Sequence, residues 1–242
     1  LVIRLRTPPL QQRLAMLNTT LHDPFMTPYL DSLTEAPMLA PDISKVRADV
    51  SLATMSSDEL EGLAGFSSHA LADLKGANLM DRVDTKFLIP RPYLPSLLTS
   101  LRPYYSALEI NKQRLFTYHN TYFDTADYRF YHQHHQGKLN RYKVRHHHYL
   151  DTNTSFLEVK FKNNKGRTIK SRIHCEIDAI ESQESQYFLQ ASLGDSYDSL
   201  QASQWGSYNR IALANEQEKE RLTLDLNLHF SAPRINADID LN

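Results

Sequence analysis

Five segments of this chain alternate between polar and apolar side chains with a period of two, and that period constrains the fold more than any other feature. In residues 221–230, Arg221, Thr223, Asp225, Asn227 and His229 fall on one side of an extended strand, and Leu222, Leu224, Leu226, Leu228 and Phe230 on the other. Arg82, Asp84 and Lys86 oppose Val83, Thr85 and Phe87 in the same way. Arg141, Lys143 and Arg145 oppose Tyr142 and Val144. Glu158, Lys160 and Lys162 oppose Leu157, Val159 and Phe161, and Lys170 and Arg172 oppose Ile169 and Ile173. A half-buried antiparallel sheet has one wet face, but such a face ordinarily mixes Thr, Ser, Gln, Glu and Lys. Here several segments present two or three cations in succession. Like charges across neighbouring strands repel, so this face requires an anion or a large solvated interior.

Charge along the chain supports the anion. The formal net charge is only -1. Yet residues 82–175 hold 17 Lys and Arg against 6 Asp and Glu, leaving 10 against 22 elsewhere. Segregation of this kind is the electrostatic footprint of an anionic partner. With 7 glycines and neither GxxxxGK nor GxGxxG, backbone amides are not arranged to cradle phosphates. Phosphate binding would therefore fall to side chains, guanidinium gripping two oxygens and ammonium acting as a point charge. Closing the sheet with its cations inside would make a lined channel, its apolar outside covered by helices.

The chain reads as α+β, dominated by antiparallel pairing. Residues 1–55, with Pro8, Pro9, Pro24, Pro28, Pro37 and Pro41, show no sustained period and read as an irregular or disordered extension. Residues 56–242 read as one domain. Ser56 or Ser57 with Glu59 marks a helix start, and 66–75 has helical spacing. Strands are expected over 79–89, 115–124, 138–149, 155–162, 167–177, 208–214 and 221–230, with helices over 93–101 and 185–193. The Asn163-Asn164-Lys165-Gly166 turn makes a hairpin. No run reaches the roughly 18 apolar residues a membrane helix needs, and no signal-peptide pattern opens the chain. A cytoplasmic location is the expectation. Cys175, the single cysteine, excludes an internal disulfide and reads as a core residue.

Five blocks in order carry a family resemblance: LMDRVDTKFLI (79–89), TYFDTADYRFY (121–131), NRYKVRHHHY (140–149), FLEVKFKNNKGRTIKSR (156–172) and NRIALANEQEKERLTLDLNLHF (209–230). Together they resemble the VTC domain, the module of vacuolar transporter chaperone polyphosphate polymerases within the CYTH-like triphosphate tunnel superfamily. The resemblance implies an antiparallel β-barrel with a basic lumen and helices outside. Arg82-x-Asp84-x-Lys86 stands where many relatives carry ExExK. Relatives continue into further strands bearing a metal-binding Glu and a tunnel Lys, so a tunnel incomplete at its C-terminus is expected of residues 56–242.

By the same resemblance, Lys86, Lys143, Arg145, Lys160, Arg210 and Arg221 would grip the nucleotide triphosphate and the growing chain. Arg82, Arg141, Lys170, Arg172 and His147 would add to the lining. Glu158, Asp84 and Asp225 would orient these cations or hold Mn2+ or Mg2+, hard ions that favour oxygen ligands. The implied reaction passes the γ-phosphate of ATP to inorganic polyphosphate, with a membrane-protein partner to receive the product. A non-catalytic polyanion-binding module and a tunnel triphosphatase are the alternatives. His132, His134 and His135 are expected on an exposed helix or loop, and no zinc site or nucleic-acid partner is expected, since the rings of the Arg141 strand alternate away from its cations.

Overall fold

The structure is a computed structural model that describes residues 1–5, 55–73, 85–165, 167–194, 197 and 199–231. It is α+β, mostly antiparallel sheet with four helices among the described residues. The chain divides into two compact units. Of the described residues, one unit draws on 1–5, 55–73, 85–116 and 209–227, and the other on those within 117–208 and 228–231.

In the first unit, β1 (Val2–Leu5) lies between β3 (Thr85–Leu88) and β10 (Glu220–Ser231), antiparallel to both, and β9 (Gln201–Asn215) follows β10. β4 (Ser106–Leu108) pairs antiparallel with β9, and β2 (Ser67–His69) parallel with β4. Leu222, Leu224, Leu226, Ile211, Leu213 and Ile3 form one apolar face, each at most 2% exposed. Helices α1 (Ser57–Ala64) and α2 (Leu94–Leu101) cover it through Leu63, Leu94, Leu97, Leu98 and Leu101. Each such leucine contributes about 1.5–3 kcal/mol by leaving water.

Local signals explain the helix starts. Ser56 and Glu59 form the expected reciprocal cap: Glu59 N–H donates to Ser56 Oγ at 3.3 Å, and Ser56 N–H to Glu59 Oε2 at 2.9 Å. The helix read over 66–75 does not form over its described part, 66–73. α1 ends at Ala64, and Ser67–His69 is a strand because its backbone is drawn into pairing with β4. Residues 2–5, read as the start of an irregular extension, form a strand because Ile3 completes the apolar face. Residues 6–54 lie outside the described residues.

In the second unit β5 (Phe116–Asp124), β6 (Arg141–Tyr149), β7 (Thr154–Lys162) and β8 (Thr168–His174) pair antiparallel in that order, and residues 201–208 of β9 flank β5. Val144, Leu157 and Val159 face α3 (Arg129–His135) and α4 (Gln183–Leu193), burying Phe130, Leu189 and Leu193. Asp124, itself buried, accepts from the Phe130 and Tyr131 amides at 2.9 and 2.8 Å and so starts α3. Tyr142 joins this side, tilted on Phe161 at 4.7 Å. Its even-numbered neighbours leave the odd-numbered β6 residues on the opposite face.

The expected closed barrel is not what the pairing gives. Among the described residues β3 ends the sheet of the first unit and β8 that of the second, with no partner strand beyond either.

Candidate functional site

Two rows of side chains cross β6, β7 and β8 on the face opposite the second unit's core. The strand register places Lys143 beside Lys160 and Lys160 beside Lys170. One pair further along, it places Arg145 beside Glu158 and Glu158 beside Arg172. The first row is three lysines with no acid between them. The second is two arginines around a carboxylate that is 0% exposed. Arg141 and Lys162 are also paired in register, and Arg141 donates to the Lys138 carbonyl at 2.6 Å.

Glu158 anchors the face. Its Oε2 accepts from Arg145 Nε at 2.9 Å and Nη2 at 2.7 Å, and its Oε1 meets the Lys170 ammonium. Burial pushes the Glu158 carboxyl up, but Arg145 and Lys170 outweigh it and hold it below the ordinary range. Lys160 shows the opposite balance. Burial, then the neighbouring Arg145, lowers its ammonium from 10.5 to about 7, against which Glu158 only partly compensates. Lys143 lies 4.4 Å from the Tyr122 ring centre, and Arg172 4.3 Å from that of Phe156, favourable places for cations.

Residues of β5 that sequence reasoning missed complete this face. Asn120, 4% exposed, accepts on Oδ1 from Arg145 Nη1 at 2.9 Å and pairs with His147 Nδ1 at 2.7 Å. An amide oxygen only accepts, so Nδ1 of His147 carries its proton. His147 therefore shares the Arg145 face, as expected. It stacks on Tyr118 at 5.3 Å, and Tyr118 stacks in turn on Tyr208 at 5.1 Å. Aromatic rings thus share the cationic face as well as the apolar one. The signal was the even spacing of Tyr118, Asn120 and Tyr122, which only the β5–β6 register connects to Arg145.

The first unit carries a second polar face. Arg210 grips Asp225 with two bonds, Nε to Oδ1 at 2.6 Å and Nη2 to Oδ2 at 2.8 Å. Lys86, Arg4 and Thr223 are in register across β3, β1 and β10, and Arg221 is two residues from Thr223 on the same side. Asn227 does not stay with them. At φ 51 it takes the left-handed conformation that Asn tolerates. Its side chain instead donates to Asn209 at 2.8 Å and accepts from Arg91, which binds Glu59 of α1 at 2.9 Å. This twist ends the alternation, and His229 beyond it is exposed. Arg82 and Asp84 lie outside the described residues.

Of the carboxylates named for a divalent cation, the two described ones, Glu158 and Asp225, do not fit one. A hard ion needs several free oxygens, whereas both oxygens of Glu158 and both of Asp225 are committed to cations. No group of three or more His, Cys, Asp or Glu side chains converges among the described residues. His132, His134 and His135 lie exposed on α3, and Cys175 is buried in the core of the second unit. No described helix is long and apolar enough to cross a membrane.

A protein-family model described as the VTC domain matches residues 81–242, more than half of the chain. No curated protein matches it.

Proposed function

This chain belongs to the VTC domain family and has a polyphosphate-related function; from that premise we propose that its cationic faces bind inorganic polyphosphate and receive the triphosphate of ATP, whose γ-phosphate passes to the chain end. The observation that carries the reading is the row Lys143, Lys160 and Lys170. Lys170 also meets Glu158, but Lys143 and Lys160 stand side by side with no acid in their row, Lys160 being costly to charge, so an anion laid along the row relieves their repulsion. A chain of phosphates repeats its charge along its length and matches such a row.

Arg145 suits the same ligand. Glu158 and Asn120 engage three of its five N–H donors, which leaves one on Nη1 and one on Nη2 for phosphate oxygens. The guanidinium is thereby aimed before the ligand arrives. In the transfer step a terminal polyphosphate oxygen attacks the γ-phosphorus of ATP. The bond to the β,γ-bridging oxygen breaks, and ADP leaves with that electron pair. Such transfer depends on alignment and charge neutralisation, which Lys143, Arg145, Lys160 and Lys170 supply. No step is assigned to a metal.

A second reading, polyphosphate binding without turnover, is favoured by one observation: Glu158 and Asp225 are both tied up in ion pairs. Incubation with ATP and Mn2+ separates the readings. Long polyphosphate supports transfer, retained binding without turnover supports the second reading, and free phosphate indicates a triphosphatase. Arg145→Ala with Lys160→Ala should abolish product in either catalytic case, and turnover by that double variant would refute the site.

A further inference from the structure

We propose that Arg4, on the N-terminal strand, is an additional phosphate-binding residue of the first unit's polar face, beside Lys86 and Arg210. The proposal rests on the polyphosphate reading above and extends it to a segment outside residues 81–242, the part matched by the family model.

The register of β1 is well determined. Ile3 is 0% exposed, paired with Phe87 on one side and Leu224 on the other. A slip of one residue would put Arg4 into the leucine core and Ile3 into water. Arg4 therefore must stand on the polar face, directly between Lys86 and Thr223.

Two cations side by side on adjacent strands are unfavourable without compensation. Among the described residues, the compensating charge beside Arg4 is Asp225, at 3.9 Å from its Nε. That distance exceeds a hydrogen bond, and both Asp225 oxygens already accept from Arg210 at 2.6 and 2.8 Å. Arg4 and Arg210 thus share a single carboxylate that Arg210 has largely neutralised, with Lys86 beside Arg4 in register. An ordinary surface arginine would lie over its own acid. This one is 44% exposed on its side chain and keeps its fork of donors available to a phosphate, to which a guanidinium binds in two-point fashion.

The test is titration of the whole chain with inorganic tripolyphosphate at low salt. Arg4→Ala should weaken binding about tenfold, the scale of one charge-assisted contact, and Arg4→Lys should recover part of the loss. Thermal melting checks that Arg4→Ala folds. Thr223→Glu, which sets a carboxylate beside an intact Arg4, should weaken binding as well and serves if the alanine variant does not fold. Full affinity in both variants, with binding lost in Lys160→Ala, would overturn the role of Arg4 while leaving the polyphosphate reading intact. Absence of tripolyphosphate binding by the unaltered chain would overturn both.

Discussion

Glu158 lies directly across the β6–β7 register from Arg145 and holds its guanidinium through Nε and Nη2 on one oxygen, at 2.9 and 2.7 Å. The carboxylate is 0% exposed and the Arg145 side chain 14%, so the pair is a buried one. Removing one partner strands the other's charge at a cost of roughly 3–5 kcal/mol. Glu158→Ala should lower the urea midpoint accordingly, and a shift within error would show the pair contributes nothing.

The same pair sets an acid limit. A carboxyl held below its ordinary pKa of 4.5 contributes stability that is complete above that pH and is lost as pH falls through its folded value. Denaturant melts of the wild type should therefore lose stability below about pH 4.5 more steeply than those of Glu158→Gln. Parallel profiles would contradict this.

Lys160 predicts a proton linkage of the same sign in a higher pH window. Its ammonium titrates near 7 in the fold against 10.5 ordinarily. Below 7 it is charged in folded and unfolded chains alike, so the cost of the buried charge is fully present. Stability then rises with pH from about 7 to 10.5. A bound anion favours the charged form, so tripolyphosphate binding at pH 8 should take up protons. Calorimetry in two buffers of different ionisation heat would detect that uptake, and Lys160→Met should abolish it. Equal uptake in the variant would assign the proton to another group.

Asn120 should matter more than its chemistry advertises. Asn120→Leu removes the acceptor shared by Arg145 and His147. Losing a hydrogen bond to a charged group costs about 1.5–3 kcal/mol, and tripolyphosphate affinity should fall about tenfold as Arg145 loses its aim. The His147 ring nitrogens, followed by NMR, should lose the Nδ1-protonated signature in step. Unchanged affinity together with an altered His147 signal would make the contact purely structural.

Side-chain alternation made the strands legible before any coordinates. The polar–apolar period correctly separated Leu222, Leu224 and Leu226 from Arg221, Thr223 and Asp225, and it put His147 with Arg145. It failed where local backbone chemistry intervened, since a positive φ at Asn227 turns that side chain to Arg91 and ends the pattern. It was silent where tertiary pairing decides. A four-residue strand such as Val2–Leu5 has too few positions to show a period, and Ser67–His69 became a strand only through its neighbour β4. Register between strands, which no single segment encodes, is what brings Lys143, Lys160 and Lys170 into one row and Asn120 to Arg145. Closure of the sheet was inferred from the repulsion of its cations. The described strands instead leave β8 as an edge, where Lys170 and Arg172 find relief in Glu158, the Phe156 ring and solvent.

Salt-dependent polyphosphate binding by the lysine row tests the central claim most directly. The unaltered chain should bind long-chain polyphosphate at low salt and release it as salt rises, and Lys143→Gln, Lys160→Gln and Lys170→Gln together should cost about a hundredfold in affinity while flattening that salt dependence. A folded triple variant that binds as tightly as the wild type, with the same response to salt, would contradict the account.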